Sequence, residues 1–190
     1  TYFTQPAGLW HLNEGGSSAT TADASGNGNA GTLTPGATGT NTTAAQMWEA
    51  TTKKLGAAAI EFDGTNDVVN FGSPAVLDDM QAFTLSAWIY PRTLGGGGAG
   101  RIFDKALDNT SANGWTLFFR GSAGLEYVRF NADFGTTDLL VDSAEGTITL
   151  NAWQHIALTW NGSTSAANAH IYINGVETAY GAATNNAAGS

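Results

Sequence analysis

Apolar runs in which aromatic and β-branched residues recur at every second position constrain the fold of this chain more than any other feature. Period 2 is the spacing of side chains on one face of a β-strand, and no segment keeps a helical period over three turns. Strands are therefore predicted at 59–62, 68–71, 83–90, 115–120, 125–131, 155–160 and 170–174. Residues 42–56 are the one candidate for a short helix, which their threonine content weakens.

Glycine and asparagine clusters separate these runs and mark tight turns. The Asn174-Gly175 pair is the preferred centre of a type I′ hairpin, and a second hairpin is predicted across 121–124. Many short antiparallel strands with glycine-rich connections are typical of an all-β fold, a two-sheet antiparallel β-sandwich of the jelly-roll type. We expect one domain over residues 1–180 and a linker-like tail over 181–190.

Composition excludes several classes of function. Charged residues are only 12% of the chain, and the net charge is −9 with seven Lys and Arg, so a basic face for nucleic acid is not expected. The absence of cysteine excludes thiolate metal sites and leaves oxygen-ligated ions such as calcium. No stretch is long enough to be a membrane span. A surface built from Thr, Ser, Asn and Gly is typical of an exported protein.

Eight segments, taken together and in order, resemble a known family. They are "GLWHLNEG", "ADASGNGNAGTL", "AIEFDGTNDVVNF", "FTLSAWIYP", "RIFDK", "GWTLFF", "NAWQHIALTWNGS" and "AHIYINGVE". This order, over residues 8 to about 180, is similar to the laminin G-like, concanavalin A-like lectin/glucanase domains of bacterial extracellular proteins. The resemblance implies a jelly roll, often with bound calcium, that is usually non-catalytic and belongs to a surface or secreted protein. The family's usual closing strands have no counterpart after residue 180, so the expectation is either that the chain is truncated or that another segment or chain completes the sheet.

The loop at residues 23–31 has the composition of a cation site. Asp23 offers a carboxylate, Asn27 and Asn29 offer carbonyl oxygens, and the intervening glycines allow a tight curl. Because one carboxylate is too few for a tight site, Asp63 or Asp67 is expected to add a ligand. A phosphate loop is excluded, since neither a following helix nor a Lys-Ser/Thr pair is present. The alternative to structural calcium is an Asx turn in which Asp23 caps its own backbone.

Catalysis is the least supported function. Glu61 and Asp63 resemble the beginning of the acidic strand of laminarinase-type glycoside hydrolases, but Thr65 and Asn66 stand where a proton-donating acid is needed. The three histidines fall on separate strands, and His155 is predicted to face away from Ile156. We therefore expect no catalytic residue.

Aromatic residues supply both core positions and candidate ligand contacts. Trp10, Trp88, Trp153 and Trp160 match core positions of the family. A ligand face on one sheet is predicted from six other side chains, in which rings would stack on a sugar and an Arg would bind it: Trp115, Phe119, Arg120, Tyr127, Arg129 and Phe134.

These patterns predict a non-catalytic extracellular or surface-associated recognition domain with a structural calcium, whose partner is a neutral glycan or a surface protein. The alternative is a structural or decoration subunit of a surface layer, fibre or virus particle. A glycoside hydrolase comes third.

Overall fold

Strands and short 3₁₀ turns make up the regular structure. A computed structural model describes residues 5–73, 82–105, 114–181 and 184–188. The chain divides into two compact units, residues 1–78 and 79–190. Every strand pair in the described residues is antiparallel, which confirms the predicted all-β class. None of the helical segments described could cross a bilayer, since none is long and apolar enough.

The first unit holds a small three-stranded sheet and a separate strand pair. Its strands are β1 (Thr20–Thr21), β2 (Gly31–Thr34), β3 (Trp48–Glu49), β4 (Ala59–Ile60) and β5 (Val68–Asn70). The sheet order is β1-β2-β5, and β3 pairs with β4. Leu33 and Met47 are buried, and the Trp10 ring lies 4.1 Å from the Phe71 ring. These side chains are the apolar part of the first unit.

The helix predicted over 42–56 is wrong. Only Ala44–Met47 form a 3₁₀ turn, and β3 follows at once. The Gln46 side-chain oxygen accepts hydrogen bonds from Thr42 N at 2.9 Å and Thr43 Oγ1 at 3.0 Å. Side chains that bond to the local backbone compete with helix formation, so the turn is not extended.

The described residues of the second unit form two four-stranded sheets. Its strands are β6 (Phe83–Ile89), β7 (Arg101–Lys105), β8 (Trp115–Arg120), β9 (Tyr127–Ala132), β10 (Leu139–Asp142), β11 (Gln154–Trp160), β12 (Ala169–Ile173) and β13 (Val176–Glu177). We call the sheet of order β13-β12-β11-β6 the front sheet, and that of order β10-β9-β8-β7 the back sheet. Two further 3₁₀ turns lie at Gly96–Gly98 and Ala166–Asn168.

Alternate residues of both sheets form one shared core. In β11, Ile156, Leu158 and Trp160 are buried, whereas the intervening residues are only partly covered. From the back sheet, Val128 and Phe130 join the same cluster with no exposed surface. The two sheets therefore pack face to face as the predicted β-sandwich, and His155 lies on the predicted side, away from Ile156.

The Asn174-Gly175 turn forms as predicted. Ile173 pairs with Val176 directly across it, and the turn residues have φ values of 53° and 81°. Such left-handed values at both positions define a type I′ turn and are tolerated best by Asn and Gly. Asn174 also accepts a hydrogen bond from His155 N at 2.9 Å, which anchors the turn to β11.

The described part of the segment predicted as a linker-like tail lies along the edge of β10. Asn185 exchanges backbone hydrogen bonds with Leu140 at 3.2 and 2.9 Å, and Ala188 pairs in the same way with Thr137. These hydrogen bonds place residues 184–188 beside the sheet, and the predicted boundary between domain and tail at residue 180 stays a prediction. The physical reason for the pairing is that β10 would otherwise leave edge N–H and C=O groups unpaired, and small side chains approach such an edge closely.

Candidate functional site

Asp23 lies at the centre of a hydrogen-bonded loop in the first unit. Its Oδ1 accepts from Leu9 N at 3.0 Å and Ser25 N at 2.8 Å. Its Oδ2 accepts from Ser25 Oγ at 2.8 Å and Asn29 N at 3.0 Å. These donors hold the pKa of Asp23 far below its usual range, and the Ser25 hydroxyl has the largest effect. Because each carboxylate oxygen already has two donors, Asp23 acts as an acceptor for the loop.

The two asparagines of this loop bind the preceding chain. Asn27 Nδ2 donates to Pro6 O at 2.9 Å, and Asn29 Nδ2 donates to Ala7 O at 2.9 Å. The backbone carbonyl of Asn29 accepts from Trp10 Nε1 at 2.6 Å. These contacts fasten residues 6–10 to the loop, so its polar groups have a structural role.

Asp63 and Asp67 hold a different loop. Asp67 accepts from Gly36 N at 3.1 Å and from Asn41 Nδ2 at 2.8 Å. Asp63 accepts from the N–H groups of Thr40 at 2.7 Å and Asn41 at 3.0 Å. The N–H donors lower the pKa of Asp63, and the backbone N–H of Asn41 has the largest effect. These hydrogen bonds hold residues 36–41 against the segment that follows β4.

The predicted calcium ligands do not fit an ion as they are arranged. Within the described ranges, no group of three or more His, Cys, Asp or Glu side chains is placed to hold a metal ion. A calcium ion needs six to eight oxygen ligands, and the lone pairs of Asp23 are directed at N–H and O–H donors. The geometry thus favours the Asx turn over the predicted calcium site, a choice that thermal melts with and without calcium can test.

We expect chelator to leave thermal unfolding unchanged and acid to weaken the first unit. The lowered pKa of Asp23 means that its contribution is present above the unfolded value, about 3.9, and is lost as pH falls toward the folded value. Thermal melts with calcium and with chelator, repeated down the pH scale, measure both effects. Asp23→Asn should reduce the acid response, and Glu145→Gln at an exposed acid is the matched control. A calcium-dependent rise in the melting temperature that Asp23→Asn removes would instead establish an ion site.

Glu61 and Asp63 do not lie on a strand as the hydrolase hypothesis requires. β4 ends at Ile60, so both residues follow it. A general acid must keep its proton near neutral pH, whereas the backbone N–H groups on Asp63 stabilise its charged form. Its hydrogen bonds give Asp63 the role of a loop anchor.

Three of the six predicted ligand contacts face the core. Phe119 is 9% exposed, and Trp115 and Phe134 pack against the same buried cluster. The ring of Trp115 lies 4.8 Å from that of Phe83 in the front sheet. The alternation of β8 puts Trp115 and Phe119 on its inner side, where they fill the space between the sheets.

The other three face outward on the back sheet. Arg120 and Tyr127 are direct cross-strand neighbours, as are Phe118 and Arg129. Arg129 is bound to Asp142 by two hydrogen bonds of 2.7 Å, so its guanidinium is already engaged. The six side chains therefore do not share one surface.

The prediction that Trp88 belongs to the core is wrong. Trp88 is 43% exposed and lies on the outer face of the front sheet, with its ring edge-on to His155 at 5.3 Å. In β6 the inward positions are those of Phe83 and Leu85, and Trp88 falls on the other phase of the alternation. The period-2 rule applied within this strand would have found it.

Apolar and polar side chains surround Trp88 on the outer face of the front sheet, and we call this surface the platform. Ser86, Ala157 and Tyr172 occupy adjacent positions on three neighbouring strands, one row from Trp88 and His155. Ser86 and Ala157 are small, so they leave a low floor between larger side chains. Because neighbouring strands lie about 4.8 Å apart, Tyr172 on β12 lies about 10 Å across the sheet from Ser86 on β6.

The far end of the platform opens into a shallow depression of about 440 Å³. Hydroxyl, amide and imidazole groups line it beside ring edges: Ala82, Phe83, Thr84, Thr159, Trp160, Asn161, Asn168 and His170. His170 Nδ1 is 2.7 Å from Glu177 Oε1, which also accepts from Tyr180 Oη at 2.6 Å. The hydrogen bond from the Tyr180 hydroxyl, followed by that with His170, lowers the pKa of Glu177. The charged Glu177 carboxylate therefore holds His170 in place at the rim of the depression.

Comparison with curated proteins and with solved structures gave no significant match. A family model described as the concanavalin A-like lectin/glucanases superfamily, of laminin G type, matches residues 63–189, more than half of the chain. The match includes every strand of both sheets of the sandwich. Together with the antiparallel sandwich, it shows that the chain belongs to the laminin G-like family of the concanavalin A-like lectin/glucanase superfamily.

Proposed function

We propose that this chain is a non-catalytic recognition domain that binds a neutral glycan on the outer face of the front sheet. The observation that carries the proposal is the 43% exposure of Trp88 on a packed sheet. The His155 ring braces the exposed indole, which presents a rigid, flat surface suited to the apolar face of a sugar.

The polar groups along the same face supply the complementary contacts. Thr84, Thr159 and His170 lie in one cross-strand row, and all three can hydrogen-bond sugar hydroxyls. Pairing of His170 with Glu177 orients the imidazole. An apolar surface with a few convergent polar groups is the usual composition of a small-ligand site.

The charge of the chain favours a neutral ligand at this face. A net charge of −9 gives no general attraction for polyanions, whereas stacking and neutral hydrogen bonds do not depend on it. Such a domain would work outside the cell, in a surface or secreted protein, as the family's usual setting suggests.

Replacing Trp88 with alanine should weaken binding of neutral oligosaccharides about tenfold or more, the equivalent of losing roughly 1.4 kcal/mol of stacking. Titration calorimetry over a panel of neutral oligosaccharides measures the effect, and the sugars should be recovered intact. Phe62→Ala, at a 51% exposed ring in the first unit, is the matched control and should bind normally. Failure of the native chain to bind any of the panel, or unchanged binding by Trp88→Ala, would refute the proposal.

A further inference from the structure

Three arginines surround one aromatic ring on the outer face of the back sheet. Phe118 pairs across the strands with Arg101 on one side and Arg129 on the other. The Arg120 guanidinium carbon lies 5.6 Å from the centre of the Phe118 ring. The chain has only seven Lys and Arg in all, so this is a local concentration of positive charge in an acidic protein.

Two of these arginines are neutralised and one is not. Arg101 pairs with Asp104 at 2.6 Å, and Arg129 pairs with Asp142. In the described part of the chain, Arg120 has no carboxylate within ion-pairing distance. Its guanidinium lies over the face of Phe118, and this cation–π contact positions the guanidinium plane. One net positive charge therefore stands beside a half-buried ring.

From this arrangement we propose a second binding site, centred on Arg120, for a sugar that carries a carboxylate, such as a uronic acid within an acidic glycan. A guanidinium binds a carboxylate through two parallel hydrogen bonds. Tyr127, directly across from Arg120, and Phe118 supply rings beside that charge. The ligand differs in chemical class from that of the front sheet and meets the opposite outer face of the sandwich.

The position of Arg120 favours a sugar over a peptide. Extended peptides bind sheets by adding a strand at an edge, where backbone groups are open. Arg120 lies on β8, an interior strand of the back sheet, and at the β10 edge Asn185 of the chain itself pairs with Leu140. The proposed contacts lie on the sheet face, where side-chain rings and hydroxyls are presented instead.

The test is calorimetric titration of the native chain with a uronic acid oligosaccharide and with the same oligosaccharide after its carboxyl groups are reduced to alcohols. We expect the acidic form to bind about tenfold or more tightly than the reduced form, with an affinity that falls as salt is added. Arg120→Gln should abolish the difference between the two sugars. Trp88→Ala should still bind the acidic form with an affinity that falls as salt is added, so failure here is separable from failure at the front sheet.

Arg92→Gln is the matched control, because Arg92 lies 6.0 Å over the Tyr90 ring and its loss changes the net charge equally. It should bind the acidic sugar normally, and melting curves should show that both variants fold. Equal binding of the two sugars would overturn the proposal. So would an equal loss in Arg92→Gln, which would indicate a general charge effect, or binding of an acidic peptide at Arg120 without binding of the sugar.

Discussion

Replacing Phe130 with alanine should lower the free energy of unfolding of the second unit by about 3–5 kcal/mol, the usual cost of deleting a buried ring. Phe130 has no exposed surface, and its ring lies 5.4 Å from Trp160 and 6.2 Å from Phe83. The truncation would leave a cavity where the two sheets meet. Urea denaturation followed by tryptophan fluorescence measures the loss.

Phe118→Ala is the control for this prediction. Phe118 stands one strand away from Phe130 but on the outer face of the back sheet, where it is only partly covered. Its truncation removes less buried surface and should cost less. Equal losses in the two variants would contradict the assignment of inner and outer faces.

Replacing Asp142 with alanine should cost about 3 kcal/mol, because it leaves the Arg129 guanidinium without its partner in a poorly solvated place. The Asp142 side chain is 4% exposed and that of Arg129 is 15% exposed. Arg129 donates the hydrogen bonds of this pair, and they raise its pKa in the native chain. Without Asp142 the guanidinium still keeps its proton, because arginine is not deprotonated in proteins, so it cannot escape the penalty.

The double variant Arg129→Met/Asp142→Leu distinguishes the interaction between the two charges from the contribution of each side chain alone. Removing both charges leaves no orphaned ion, and we expect it to be more stable than Asp142→Ala alone. Urea denaturation of the two single variants and the double variant gives the coupling energy. A double variant as unstable as the sum of the single ones would mean that the two side chains act independently.

The sandwich was predictable because burial on one face imposes a two-residue period on each strand. Trp160 and Ile156 follow that period, and so does Trp88, whose outward position was obscured only by the assumption that tryptophan belongs inside. The Asn174-Gly175 turn was predictable because its backbone conformation admits few residue types.

The loops and the C-terminal edge could not be predicted in the same way. Asp63 and Asp67 accept from residues 36–41, more than twenty positions away, and nothing in the local pattern reports such a contact. Asn185 pairs with Leu140 and Ala188 with Thr137 through backbone N–H and C=O groups, which every residue except proline possesses in full. Pairing of this kind leaves little signal in the residue types of the segment.

The shared core of the sandwich prevents one stiff polymer from contacting both outer faces. Because the two sheets pack against one another, their outer faces point in opposite directions across a core about 10 Å thick. A stiff polymer lying on one face would have to turn around an edge strand to reach the other. Simultaneous occupancy of both faces would therefore join two separate polymer molecules, making each copy of the domain a cross-link whose avidity depends on how closely the two polymers are already held.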